Sequence, residues 1–66
     1  MADLLVHGGR SVYLVRPVSP FGAAWVDEHI PPDAMWFGGA VVVEHRHVAD
    51  LLFGAADDGL RIGRDA

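Results

Sequence analysis

In the stretch WFGGAVVVEHRHVADLL, residues 36 to 52, the apolar residues change period with no loop in between. Trp36 to Glu44 is β-branched in its second half, which suits a pleated strand, and Gly38-Gly39 within it reads as a bulge or a close backbone approach. From about His45, Val48, Leu51, Leu52 and Ala55 fall at i, i+3, i+4 and i+7, one face of a helix. Gly59 then offers the left-handed position just past a helix end, with Leu60 as its hydrophobic follower. The spacing predicts a central strand near 37–44 running directly into a helix near 46–58, which excludes an all-helical fold.

The remaining segments fit around that unit. Residues 3–7 and 10–18 are strand-like and flank Gly8-Gly9, a pair able to take the positive φ of a type I′ hairpin turn. Ser19 before Pro20 reads as a helix N-cap followed by proline at the first helical position. That helix presents Phe21, Ala24 and Trp25 at helical spacing and is stopped near Ile30 by Pro31-Pro32. The tail carries a candidate edge strand at Leu60 to Ile62. The order strand, strand, helix, strand, helix implies an α+β fold: a small three-stranded sheet, or four-stranded with the tail, with both helices packed on one face. Val12, Leu14, Val41 and Val43 are the expected sheet contribution to the core. Residues 1–66 read as a single domain, with no internal repeat.

A chain of 66 residues without cysteine has no disulfide and no thiolate metal site, so its stability must come from an efficient core, oligomerisation or a His/carboxylate site. The 52% apolar content is too high for a disordered chain. No apolar run reaches the roughly 18 residues of a membrane span, and the start lacks the basic segment and apolar core of a signal peptide. The expectation is a soluble, cytoplasmic protein, monomeric or homodimeric. Nine acids against five arginines and no lysine give a formal charge of −4, which disfavours direct nucleic-acid binding and favours a basic macromolecular partner.

The chemistry-bearing residues are few. Glu44, His45 and His47 could ligate zinc, but a stable site needs three or four convergent groups, and two histidines at i and i+2 across a strand-to-helix junction diverge. We therefore expect no metal and no cofactor. Nucleophilic catalysis lacks parts, since the serines are only Ser11, within a strand, and Ser19, explained by its cap. Neither glycine pair matches a phosphate loop. No catalytic residue is assigned, and the chain reads as a non-enzyme.

The acids are more informative. Asp27 and Glu28 fall in the last turn of the first helix, Asp33 in the loop after it, and Asp57 and Asp58 at the end of the second. Helix C-termini carry a partial negative charge, so each carboxylate there is unfavourable by about 0.3–1 kcal/mol. Two helices that break the same rule suggest a use for the acids, and these five are the candidate partner-binding residues, expected to share one pole. Glu44, Asp50 and Trp36 are secondary candidates. Asp3 and Asp65, near the termini, are read as acids outside the pole.

WFGGAVVVEHR with the following VADLL and DDGL looks like a motif of short bacterial proteins carried by phages and mobile elements. In size, acidity, arginine-only cation usage and lack of cysteine the chain is similar to anti-CRISPR proteins, of the type I-C inhibitor class. The resemblance implies a protein of the infected bacterial cytoplasm that inhibits stoichiometrically. Its acidic surface would imitate duplex DNA and occupy the basic site with which the large effector subunit of a type I-C complex reads the protospacer-adjacent motif. The alternative is a small dimeric accessory or antitoxin-like module that uses exposed aromatics, Trp36 and Phe37, as its interface.

Overall fold

The computed structural model describes residues 1–64. β1 (Leu4–Gly8) and β2 (Val12–Pro17) form an antiparallel hairpin, α1 (Pro20–His29) follows, and β3 (Trp36–Phe37) turns back into β4 (Ala40–Glu44). β4 passes without a loop into α2 (His45–Asp57), and β5 (Ile62–Arg64) returns parallel to β1. The α+β class and the two helices agree with expectation. The sheet is larger than expected: it is five-stranded and mixed, in the order β3-β4-β2-β1-β5.

The extra strand comes from the second glycine pair. Gly38 and Gly39 have φ of +56° and +80°, matching the roughly +60° and +90° of a type I′ turn, and Phe37 pairs directly with Ala40 across them. The segment read as one strand with a bulge is thus a two-residue hairpin. The first pair behaves differently. Gly8 still pairs with Tyr13, so the connection between the paired residues runs through Gly9, Arg10, Ser11 and Val12, and the glycines sit at φ of +114° and +152°, outside type I′ geometry. A Cβ on Gly8 would lie 2.9 Å from the Val12 carbonyl oxygen, so here glycine answers a close backbone approach. The expected tail strand also exists, displaced to Ile62–Arg64.

Local signals at the helix ends hold. Ser19 Oγ accepts from the Gly22 N–H at 2.9 Å, with Pro20 as the first helical residue. At the end of α2 the Gly59 N–H bonds the Ala56 carbonyl and the Leu60 N–H the Ala55 carbonyl, with Gly59 at φ +92° and Leu60 buried. Both helices lie on one face of the sheet, where Trp25, Val26, Val48, Ala55 and Leu60 pack with Leu4, Val6, Val15, Val41 and Val43. Two core expectations are corrected. On β2 the helices cover Val15, while Val12 is exposed and Leu14 lies on the opposite face, because both phases of VYLV are apolar and periodicity cannot choose between them. On α1 the buried residues are Gly22, Trp25 and Val26, and Phe21 is exposed. Gly22 is required there because a Cβ would collide with the Asp3 carbonyl. Among the described residues no helix is long and apolar enough to cross a membrane.

Candidate functional site

The five candidate acids all belong to the helical layer and its exit loop, and all are exposed. Pro31-Pro32 stops α1 at His29, leaving Asp27 and Glu28 in its last turn, and the Gly59 cap stops α2 at Asp57. Asp58 is the C-cap of α2 and is drawn inward: the buried Trp25 indole N–H donates to its Oδ2 at 2.7 Å. His29 stacks on Trp25 with ring centroids 4.3 Å apart, its Nδ1 is 2.9 Å from the Trp25 carbonyl oxygen, and its Nε2 is 3.7 Å from the same Asp58 oxygen. The end of α2 is thereby fastened to the C-terminal half of α1. Asp58 has a structural role as well as a charge, which sequence spacing did not reveal.

Asp27, Glu28, Asp33 and Asp57 make no side-chain hydrogen bond or ion pair among the described residues. Asp27 borders a shallow cleft with Ile30, Pro31, Pro32 and Trp36, so the secondary candidate Trp36 lies beside one member of the acidic group. Asp50 is exposed on α2. Glu44 stands apart, at the strand end that precedes α2, where its Oε2 is 3.4 Å from Arg46 Nε.

Six of the nine acids lie in a part of the helical layer that holds no arginine. Residues 19–35 and 47–60, which comprise α1, its exit loop and all but the first two residues of α2, hold six carboxylates and no arginine. The five arginines, Arg10, Arg16, Arg46, Arg61 and Arg64, lie on the hairpin, the sheet, the start of α2 and the approach to β5. Beyond Arg46 at its start, the helical layer is therefore a negative surface with no arginine to offset it.

The EHRH tetrapeptide is the junction between β4 and α2. His45 stacks on Tyr13 at 5.8 Å, whereas His47 borders an apolar groove with Ile30, Pro31, Ala34 and Leu51. The two rings thus have different surroundings, and among the described residues no group of three His, Asp or Glu side chains is placed to hold a metal ion.

Asp3 is the acid whose role the sequence least disclosed. Its carboxylate accepts from Ser19 Oγ at 2.6 Å and from the Arg61 N–H at 2.9 Å, joining the N-cap of α1 to the approach to β5. The Ser19 hydroxyl first, then the Arg61 N–H, hold the Asp3 carboxyl below the ordinary carboxylate range. Asp3 is therefore no neutral counterpart to the acidic group, and Asp65 lies outside the described residues. Comparison with known protein families, curated proteins and solved structures gives no match.

Proposed function

We propose that this chain acts by binding rather than catalysis, and that its acidic helical layer engages a basic, DNA-reading protein surface. Together with the resemblance in the sequence, this extends to inhibition of a type I-C CRISPR effector complex at the site that reads the protospacer-adjacent motif. One observation carries the reading: six carboxylates lie on α1, its exit loop and α2 beyond Arg46, with no arginine among them. Duplex DNA presents one charge per roughly 1.7 Å of axis, so a compact carboxylate surface can occupy the same arginines and lysines. Asp27, Glu28, Asp33 and Asp57 are the members of that surface without a side-chain partner among the described residues, and Asp50 is exposed on α2 as well.

The test is titration calorimetry against a purified type I-C effector complex. Neutralising Asp27, Glu28 and Asp57 together to Asn, Gln and Asn should weaken binding more than tenfold, equivalent to about 1.4 kcal/mol, and flatten the dependence of the remaining binding on salt. The same variant should be as stable as the parent, or more stable by roughly 0.3 kcal/mol per residue, because repulsion at the helix ends is relieved. Glu44→Gln, at the junction of β4 and α2 and beside Arg46, should bind as the parent does.

A second reading rests on the β3 edge, where Met35, Trp36 and Phe37 are 71%, 48% and 69% exposed. A run of large apolar side chains left in solvent is a natural contact surface. Unchanged binding by the acid variant, with loss on Trp36→Ala and Phe37→Ala, would replace the acidic reading with this one.

A further inference from the structure

The sheet face away from the helices is uncovered, and it is apolar. Leu5 on β1, Leu14 on β2 and Val42 on β4 point to it, with the small Ala40 and the more exposed Val12 and Phe37 around them. Strands with one solvated face alternate apolar and polar residues, whereas strands covered on both faces read as continuous apolar runs. LLV, VYLV and AVVV are of the second kind, although helices cover only one side.

The charges on this face are arranged to meet themselves. Leu14 pairs with Val42 and His7 with Leu14, so these three form a row across the middle of the sheet. Arg16 lies two residues from Leu14 in one direction along the strands, and Glu44 two residues from Val42 in the other. Arg16 Nη1 donates to the Gly38 carbonyl at 2.7 Å, which carries the guanidinium across to the start of β4, whose far end is Glu44. A two-fold axis lying along the Leu14–Val42 row reverses the strand direction and keeps each strand's position. It brings the Arg16 guanidinium of one copy over Glu44 of the other, twice, with Leu14 and Val42 meeting their own counterparts at the centre.

We propose that the uncovered sheet face is a homodimer interface, built on Leu14 and Val42 and fixed in register by reciprocal Arg16–Glu44 pairs. The five strands hold 21 residues, and at about 4.8 Å between strands and 3.3 Å along them the face measures roughly 330 Å². Over two copies and with side-chain relief, that amounts to about 800–1,000 Å² of total buried surface, the size of a weak, transient association. The dimer is accordingly reversible, and both acidic helical layers face outward from it.

Sedimentation velocity of the full chain from about 1 to 500 μM should show a monomer–dimer equilibrium, as expected for a micromolar dissociation constant. Val42→Arg should give a monomer with an unchanged far-UV spectrum. Arg16→Glu and Glu44→Arg should each weaken association at least tenfold, and the double exchange should restore it, an outcome that loss of the Arg16–Gly38 bond alone would not produce. A monomer across the whole range overturns the proposal. So does a dimer indifferent to the single charge exchanges, or one that survives Val42→Arg and dissociates on Phe53→Asp, which would place the contact in the groove between α2 and β5.

Discussion

On the helix-facing side of the sheet Leu4, Val6, Val15, Val41 and Val43 are buried, while Leu5, Leu14 and Val42, one residue away along the same strands, remain half-exposed. The two faces are of similar chemical character and differ in what covers them. Hydrophobicity therefore did not decide which phase of each strand became core. The decision came from the connections, which carry both helices over the same side, and from three polar residues, His7, Arg16 and Glu44, that share the uncovered phase on three different strands. A charge can be solvated or paired on an open face but not beneath a helix.

The strongest challenge to this contrast is to place the same charge on each face. Val15→Asp buries a carboxylate without a partner and should cost about 4 kcal/mol or more, enough to unfold much of a chain whose whole stability is on the order of 3–10 kcal/mol. Leu14→Asp, its neighbour on the open face, should cost less than about 1 kcal/mol when urea denaturation is followed at low protein concentration. Equal losses would mean that the two faces are not distinct.

A smaller effect sharpens the picture of how the covered face stays covered. Trp25→Phe keeps most of the packing and removes the N–H donated to Asp58, and Asp58→Ala removes the acceptor; each should cost about 1–2 kcal/mol. The double variant should cost less than the sum, since both changes break one contact. Additive losses in denaturation would separate the two residues.

The smallest effects lie where α1 meets the edge of the sheet. Ser19→Ala should cost about 1 kcal/mol through loss of the N-cap. The Asp3 carboxyl, held below its ordinary value by Ser19 and Arg61, binds its proton more weakly in the folded chain than in the unfolded one. Its contribution is therefore complete above the unfolded carboxylate value of about 3.9 and disappears as pH falls through the lower folded value. Urea midpoints measured from about pH 5 to pH 2 should fall for the parent and less for Asp3→Asn. Parallel curves would remove Asp3 from the account.

The features readable in advance were those settled by near neighbours. The period change at His45, the Ser19-Pro20 start and the Gly59-Leu60 stop each depend on a few adjacent residues, and the helices lie within a residue of where they were expected. What escaped depends on distant pairing. The two glycine pairs look alike in sequence, yet only Gly38-Gly39 is flanked by strands that close across two residues. The short β5 is stabilised by β1, with residue 62 pairing to residue 4, a partnership no local pattern announces. For the candidate site, the acids at the helix ends were legible as broken capping rules, whereas the Trp25–Asp58 bond spans 33 residues and the Asp3–Arg61 bond 58. The common phase of His7, Arg16 and Glu44 was in the sequence and would have assigned the faces correctly.

The bond between Asp3 and Arg61 also bears on how the fold is reached. Closing a loop of that length, which the pairing of β1 with β5 shares, costs more chain entropy than the shorter-range contacts, and it brings its reward only after the intervening elements are in place. The first strand therefore spends the early part of folding with one edge bare, waiting for a segment made almost sixty residues later. A fragment ending before residue 62 contains every helix and four of the strands, but not the pairing that shields β1. Such a fragment would present an apolar, unpaired edge to its neighbours, and aggregation should become its main competitor.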